Sequence, residues 1–238
     1  MIEKIRRFFK KKLHPHLYNL LKNIYNWSKP IIRPIQNFFF KIKLKKIHAN
    51  HERALKIIRK KEKIKVVFLV IHESVWKYDE LYRLMEQDKR FDPIIVICPY
   101  VVYGEDNMLR EMNQAFNAFN KKGYKTIKAL KENDTWLDVK NEIKPDIVFF
   151  TNPWKLTKNQ YYINNFNDIL TCYVPYFYQV TKHLKENFGG LLQNTVWKVF
   201  YESNIHFEYA KRYSKNNAAN VIITGYPGID DYIFQKKI

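Results

Sequence analysis

The sequence has few of the residues and patterns that mark several common classes of protein. It contains only 6 glycines in 238 residues, and no glycine-rich phosphate-binding fingerprint follows any apolar run. It contains only 2 cysteines, Cys98 and Cys172, with neither metal-ligand spacing nor a CxxC arrangement. A disulfide scaffold, a cysteine zinc site and a familiar dinucleotide loop are therefore excluded, and we expect no cofactor. We predict that both cysteines are small core residues in a reducing compartment.

Long apolar segments are also absent. No uninterrupted apolar run approaches the ~18 residues that a membrane-spanning helix needs. The basic start of the chain is followed by charges and prolines, not by the apolar region and cleavage site of a secretory signal. We therefore predict a protein that stays in the cytoplasm.

Acidic residues are scarce at the start of the chain. The first 65 residues contain 20 Lys and Arg but only 3 Glu, a balance of +17, whereas the other 173 contain 22 basic and 20 acidic residues. Almost all of the net charge of +19 therefore lies in one segment. This asymmetry predicts a basic extension at residues 1–63 and a near-neutral domain at residues 64–238, so we expect the extension to bind a partner.

Apolar residues recur at helical spacing in this extension. The pattern predicts a basic amphipathic helix from Ile2 to Leu13 and a second after His14-Pro15, interrupted at Pro30 and Pro34; residues 48–63 resemble a linking helix. Segments of this kind adsorb to anionic membrane surfaces, which would place the protein on the inner face of the cell membrane. Packing of these helices on a protein domain is an alternative. Single-stranded nucleic acid is another, but no recognised nucleic-acid module accompanies the patch, and we predict no such partner.

The remainder of the chain alternates apolar runs with helical patterns. Lys65 to Ile71 is a continuous apolar run that ends at His72-Glu73, as in a strand buried on both faces, and Ser74 is a candidate cap for the following helix. Further strands are predicted at residues 93–98, 124–127, 145–151, 170–174, 197–202 and 220–224, with helices at 107–122, 135–143 and 206–213. The alternation predicts an α/β, Rossmann-like parallel sheet flanked by helices.

Candidate functional residues follow four of the predicted strands. In a parallel sheet these loops open on the same edge, where ligands bind. The candidates are an imidazole, a carboxylate and several aromatic and turn residues, a mixture suited to stacking on a sugar or polyol and removing a hydroxyl proton. His72 and Glu73 are the catalytic candidates. The substrate-binding candidates are Trp76, Tyr78, Pro153, Trp154, Tyr173, Pro175, Tyr176, Gly225, Tyr226 and Pro227.

Four segments carry a resemblance to a known family. In the order HESVWKYDELY, PDIVFFTNPW, LTCYVPY and NVIITGYPGIDDY, residues 63–238 resemble the CDP-glycerol glycerophosphotransferase family of bacterial surface-polymer enzymes, especially variants associated with capsule and lipopolysaccharide clusters. The resemblance implies the amino-terminal, acceptor-side domain of a GT-B enzyme. It also implies a CDP- or UDP-activated donor bound by a second domain or a partner chain, a lipid-linked or polymer acceptor, and peripheral membrane attachment.

The sequence departs from this family at two places. Teichoic-acid polymerases carry a W-H-G-T segment whose histidine is thought to be the base, whereas the matching stretch here is Cys172 to Tyr176, without histidine. The base is then His72, lies elsewhere or is missing, and Tyr173 and Tyr176 are candidates to replace a missing base. The T-G-Y-P segment normally precedes the linker to the donor domain, so the chain resembles an amino-terminal half. The function implied is transfer of a glycerophosphate or sugar unit; the alternative is a non-catalytic membrane-associated acceptor-binding or adaptor subunit.

Overall fold

A computed structural model describes residues 14–180 and 182–233. Contacts divide the chain into two compact units, Met1–Lys45 and Lys46–Ile238. The helix predicted from Ile2 to Leu13 lies outside the described residues. The predicted domain division after residue 63 stays a prediction, because contacts within the chain do not test whether a segment is a domain of its own.

The first helix, α1, spans Pro15–Ile58. The predicted interruption at Pro30 and Pro34 is wrong, because both prolines lie inside this helix. Each proline removes one backbone hydrogen bond, but its fixed φ is compatible with the helical conformation. The linking helix predicted at residues 48–63 is confirmed for residues 48–58, which form the last part of α1, whereas residues 59–63 lie outside the helix.

The described residues of the first unit present a stripe of exposed apolar side chains. They recur at intervals of three and four residues, so they share one side of α1. Trp27 is the most exposed, at 78%. The apolar stripe, as we call this set, comprises Leu17, Leu20, Leu21, Ile24, Trp27, Ile31, Ile32, Ile35, Phe38, Phe39 and Ile42.

The second unit contains a seven-stranded sheet in which every neighbouring pair is parallel. The strand order is β3-β2-β1-β4-β5-β6-β7, which confirms the predicted Rossmann-like α/β fold. The central strands are buried because helices cover a parallel sheet on both faces. The strands are β1 (Ile64–Val70), β2 (Phe91–Ile97), β3 (Thr126–Lys128), β4 (Ile147–Phe150), β5 (Leu170–Tyr173), β6 (Lys198–Tyr201) and β7 (Val221–Ile223).

Helices connect most of the strands. They are α2 (Asp79–Gln87), α3 (Glu105–Lys121), α4 (Leu184–Gly189), α5 (Leu191–Thr195), α6 (Asn204–Tyr213) and α7 (Asp230–Ile233), with a π-helical turn at Val139–Ile143. The helix predicted at residues 135–143 is therefore confined to this turn. Trp136 instead forms an antiparallel bridge with Leu130, which takes the start of the segment out of a helical conformation.

The predicted helix cap at Ser74 is wrong. Ser74 lies in a 3₁₀ turn, Glu73–Val75, and α2 begins only at Asp79. Between them Trp76 is only 4% exposed and packs edge-on against Phe68, with ring centroids 5.3 Å apart. Burial of this large ring holds the chain against the sheet before the helix begins.

The centre of the core is aromatic. The fully buried Phe68 of β1 stacks on Phe149 of β4 at 4.8 Å between ring centroids and also packs against Tyr78 and Tyr82. Cys98 and Cys172 are free and buried, as predicted. Burial raises the pKa of both thiols, which keeps them protonated and unreactive.

Candidate functional site

The strand order reverses between β1 and β4. Strands β2 and β3 lie on one side of β1, and strands β4 to β7 lie on the other side. In open α/β sheets this reversal separates the loops that follow the two strands and opens a crevice at the carboxyl edge. His72 follows β1 there, and Asn152 to Trp154 follow β4. The loop after β2 also reaches this place, since the Val101 backbone N–H donates to the Leu156 carbonyl at 3.0 Å.

His72 is paired with a residue that the sequence analysis did not select. Its Nδ1 lies 3.3 Å from Oε2 of Glu111, on α3, and its side chain is 22% exposed. The Tyr100 ring packs edge-on against the imidazole at 4.4 Å between centroids. Glu73, the predicted second catalytic residue, is exposed in the 3₁₀ turn. Glu111 therefore orients the His72 imidazole. The only sequence signal for this partner was the side of α3 on which Glu111 lies.

Three of the predicted substrate-binding aromatics lie in the core. Trp76, Tyr78 and Tyr173 are each less than 5% exposed. The Tyr78 hydroxyl lies 3.1 Å from the Val174 carbonyl oxygen and 3.4 Å from that of Phe150, so it joins the ends of β4 and β5. Burial raises the pKa of Tyr78 and of Tyr173. A contact of these side chains with a ligand stays a prediction.

The other aromatic candidates lie nearer the surface. Trp154 is 37% exposed, and its backbone N–H donates to Oδ1 of Asn152 at 2.8 Å, a bond that fixes the loop after β4. Tyr176 is half-buried and packs edge-on against Phe177. Pro153 and Pro175, in contrast, are buried. Trp154 and Tyr176 are thus available for stacking on a ligand at this edge.

The loop after β7 contains the last group of candidates. Gly225 has a φ of +87°, a conformation that residues with a side chain rarely adopt, and it turns the chain out of β7. The Tyr226 ring packs edge-on against Tyr178 at 6.0 Å. Pro227 lines a largely apolar cavity of about 330 Å³ together with Lys77, Tyr78, Leu81, Met85, Phe149, Val174, Phe200, Thr224 and Asp230.

A buried acid and imidazole at the end of β6 were missed. Oε2 of Glu202 lies 3.3 Å from Nδ1 of His206, with side-chain exposures of 2% and 3%. Burial raises the pKa of the Glu202 carboxyl, and the neighbouring His206 opposes this shift. The candidates predicted from the sequence follow the first, fourth, fifth and seventh strands, and none follows the sixth. The available signal was a Glu directly after a buried strand with His four residues on, at the spacing that brings side chains together on a helix.

No group of three or more His, Cys, Asp and Glu side chains within residues 14–180 and 182–233 is arranged to hold a metal ion. Over the same residues, no helix has both the length and the apolar character needed to cross a membrane.

The fold and the residues at the carboxyl edge of the sheet together define the class of protein. It is a Rossmann-like α/β protein with polar and aromatic residues at the carboxyl ends of its strands. No protein-family model matches the chain, and no curated protein matches it. A solved structure, "Crystal structure of UDP-N-acetylglucosamine 2-epimerase", is similar, with a TM-score of 0.50 and 18% sequence identity. The match covers 74% of this chain and 52% of that chain.

This likeness concerns the fold. The epimerase has a GT-B-like fold, and the present chain spans about half of its length. At 18% identity the match carries no residue roles from one protein to the other. It therefore supports the α/β Rossmann-like fold of this chain.

Proposed function

We propose that this chain is the acceptor-side domain of a GT-B-type transferase of bacterial surface-polymer synthesis. The enzyme would move a glycerophosphate or sugar unit from a CDP- or UDP-activated donor to a lipid-linked or capsular acceptor. The observation that carries the proposal is the reversal of strand order between β1 and β4, where the partly exposed His72 faces Glu111 and the loop of Trp154 follows the neighbouring strand.

The similar structure supports a connection with nucleotide-activated sugars. Its title describes an enzyme that acts on UDP-N-acetylglucosamine, and its match with this chain covers 52% of its length. In the proposal, the nucleotide is held by a second domain, in the same polypeptide or in a partner chain. The present domain then holds the acceptor at the edge of its sheet.

The chemistry assigned to His72 follows from its contact with Glu111. If Nδ1–H donates to the Glu111 carboxylate, Nε2 is left with a lone pair that can accept a proton. Nε2 would take the proton of an acceptor hydroxyl as its oxygen forms a bond to the glycerol-bearing phosphorus of CDP-glycerol, and CMP leaves. With a UDP-sugar, the new bond is to the anomeric carbon, and UDP leaves. Glu73 stays a catalytic candidate but is exposed in its turn.

The exposed rings offer stacking surfaces for the acceptor. Trp154, Tyr176 and Tyr226 follow three different strands on the same edge of the sheet. Aromatic faces of this kind bind the apolar C–H surfaces of sugars. In the proposal they hold the acceptor while His72 removes its proton.

Attachment to the cytoplasmic face of the membrane forms part of the proposal. The apolar stripe on α1 exposes eleven large side chains, among basic residues such as Lys22, Lys29 and Arg33. Burial of an apolar face combined with attraction between Lys or Arg and anionic lipid is the usual basis of reversible adsorption. Attachment would bring the domain to a lipid-linked acceptor.

A transfer assay tests the proposed activity. Bacterial membranes are incubated with radiolabelled CDP-glycerol or UDP-N-acetylglucosamine, the chain and its donor-side domain or partner. Label in the lipid or polymer fraction that requires this chain is the expected result. The alternative function, a non-catalytic acceptor-binding adaptor, predicts that the chain increases the label recovered but that His72→Ala leaves the increase unchanged. No dependence of labelling on the chain would contradict both functions.

A further inference from the structure

A second polar cluster lies along the same edge of the sheet, away from the crevice between β1 and β4. It contains Tyr173 at the end of β5, Gln179 in the loop that follows, Glu202 at the end of β6 and His206 in the first turns of α6. Every one of these side chains belongs to a residue less than 9% exposed. Polar side chains at this depth normally have hydrogen-bond partners inside the protein.

His206 does have such partners on both ring nitrogens. Its Nε2 lies 3.0 Å from the Gln179 backbone carbonyl, which can only accept, so Nε2 carries the proton. Its Nδ1 lies 2.9 Å from Oγ of Ser203 and 3.3 Å from Oε2 of Glu202. The imidazole is therefore held in place by the protein and sets the electrostatic environment of Glu202.

The other three side chains are poorly satisfied within the protein. Both side-chain amide atoms of Gln179 and the hydroxyl of Tyr173 are buried and form no hydrogen bond. The Glu202 carboxyl also forms no hydrogen bond of good geometry, although the backbone N–H groups of Gln179 and Glu202 lie close enough to oppose the rise of its pKa. An unsatisfied buried polar atom costs about 1–3 kcal/mol, and more when the group is charged. Five poorly satisfied atoms in one cluster indicate groups arranged for a polar ligand.

The types of atom select the class of ligand. A carboxylate and an amide oxygen accept hydrogen bonds, the amide nitrogen donates, and a phenol does either. The carboxylate disfavours a phosphate, because both are negative. Hydroxyl groups, which donate and accept without charge, match the set. The rings of Tyr178 and Tyr226 lie beside the cluster, and Tyr178 contacts the His206 ring edge-on at 5.2 Å.

We propose that Tyr173, Gln179 and Glu202 form a subsite for the hydroxyl groups of a sugar or polyol, with His206 as a positioning residue for Glu202. The subsite deepens the proposed function, on which it rests for its role, by identifying the acceptor as a hydroxyl-rich, uncharged group at this end of the edge. Tyr178, which is 46% exposed, covers His206 and would move to admit the ligand.

Ligand-observed NMR on the whole chain tests the subsite without any donor. The probes are glycerol and N-acetylglucosamine, with inorganic phosphate as the anionic comparison. The expected result is binding of at least one hydroxyl-rich probe and no competition by phosphate. Glu202→Gln, which keeps the shape of the side chain, should weaken this binding about tenfold, the equivalent of one charge-assisted hydrogen bond. Gln179→Ala should weaken it as well.

A control variant assigns the result to this cluster. Glu208→Gln removes an exposed carboxylate from α6, the helix of His206, and should leave probe binding unchanged. Circular dichroism establishes that each variant is folded. Absence of binding by the unchanged chain, or equal binding by Glu202→Gln and Gln179→Ala, would overturn the subsite.

Failure of the subsite and failure of the proposed function give different results. Probe binding that depends on Glu202, with no label transferred in the membrane assay, would contradict the transferase and retain the subsite. Transfer that depends on His72 but is indifferent to Glu202→Gln would contradict the subsite and retain the transferase.

Discussion

The carboxylate of Glu202 lies 3.3 Å from the imidazole of His206, and both side chains are almost completely buried. Glu202 directly follows β6, and His206 is four residues further on in α6, so a strand end and a helix start bring the two groups together. Neither Glu202 oxygen forms a hydrogen bond of good geometry, although the nearby backbone N–H groups of Gln179 and Glu202 oppose the rise of its pKa. A charged group at this depth makes stability depend on pH, and it gives the carboxyl edge of the sheet a second chemical centre beside His72.

Replacement of Glu202 should change the pH dependence of stability. Burial raises the pKa of Glu202 above its ordinary value, so the folded chain binds a proton that the unfolded chain has released. The free energy of unfolding therefore falls as pH rises from the ordinary range of a carboxyl through the raised value. Glu202→Gln should remove this loss and be more stable than the unchanged chain at pH 8, by about 1 kcal/mol.

Urea unfolding at pH 5 and pH 8 measures this effect. The stability advantage of Glu202→Gln should be larger at pH 8 than at pH 5. Glu208→Gln, at an exposed position of α6, should show no such difference. Equal stability of Glu202→Gln and the unchanged chain at both pH values would contradict the assignment of Glu202 as a destabilising buried charge.

His51 should make the protein sensitive to acid. Its side chain is buried, and burial, with the nearby His48, lowers its pKa from 6.5 to about 4. Between these values the unfolded chain binds a proton that the folded chain does not, so the free energy of unfolding falls as pH falls from 6.5 to 4. The loss is about 3 kcal/mol at most.

His51→Leu removes this titration. Its free energy of unfolding should change less than that of the unchanged chain between pH 7 and pH 4.5, as measured by urea unfolding. His183→Gln, at an exposed histidine, is the matched control and should keep the original acid dependence. If His51→Leu shows the same acid dependence as the unchanged chain, His51 is not its source.

The apolar stripe should carry membrane adsorption. Replacing Trp27 and Phe38 by Ser removes two of its most exposed rings, and should lower partitioning into anionic vesicles at least tenfold, because burial of an aromatic side chain contributes about 1.5–3 kcal/mol. Vesicle flotation measures partitioning, which should also weaken with rising salt. Tyr103→Ser with Val180→Ser changes two exposed apolar residues of the second unit and should leave flotation unchanged. No flotation of the unchanged chain at low salt would contradict membrane attachment.

His72 and Glu111 should act together in transfer. His72→Ala should reduce transfer by about 10²-fold or more, the usual range for a general base. Glu111→Gln removes the charge that orients the imidazole and should reduce transfer less, with kcat affected more than KM. Glu73→Ala distinguishes the roles of the two carboxylates. Since Glu73 is exposed and Glu111 faces His72, we expect Glu73→Ala to reduce transfer less than Glu111→Gln does. A larger loss from Glu73→Ala would contradict this arrangement.

The sequence was sufficient for the sheet because its strands are apolar runs with clear boundaries. Each of the seven predicted strands coincides with an observed strand, and every boundary agrees to within two residues, since a buried parallel strand has few alternatives. Local signals failed where tertiary packing decided the conformation. Because Trp76 is buried, α2 begins at Asp79 and not directly after Ser74. Pro30 and Pro34 lie within α1 and do not end it.

The edge of the sheet was predictable only in part. Parallel topology placed His72, Trp154 and Tyr226 at the carboxyl ends of strands, because that follows from strand order alone. The depth of each side chain and its partner could not be read from spacing. Glu111 is far from His72 in the sequence, and the complete burial of Tyr173 at the end of β5 has no signal in the spacing.

The central claim is that this domain serves a transferase whose nucleotide-activated donor is bound elsewhere. The most direct test is calorimetric titration of CDP-glycerol and UDP-N-acetylglucosamine into the chain alone and into the chain combined with its donor-side domain or partner. The account predicts binding only in the combined sample. Donor binding by the chain alone would contradict the acceptor-side assignment, and no binding in either sample would contradict the transferase.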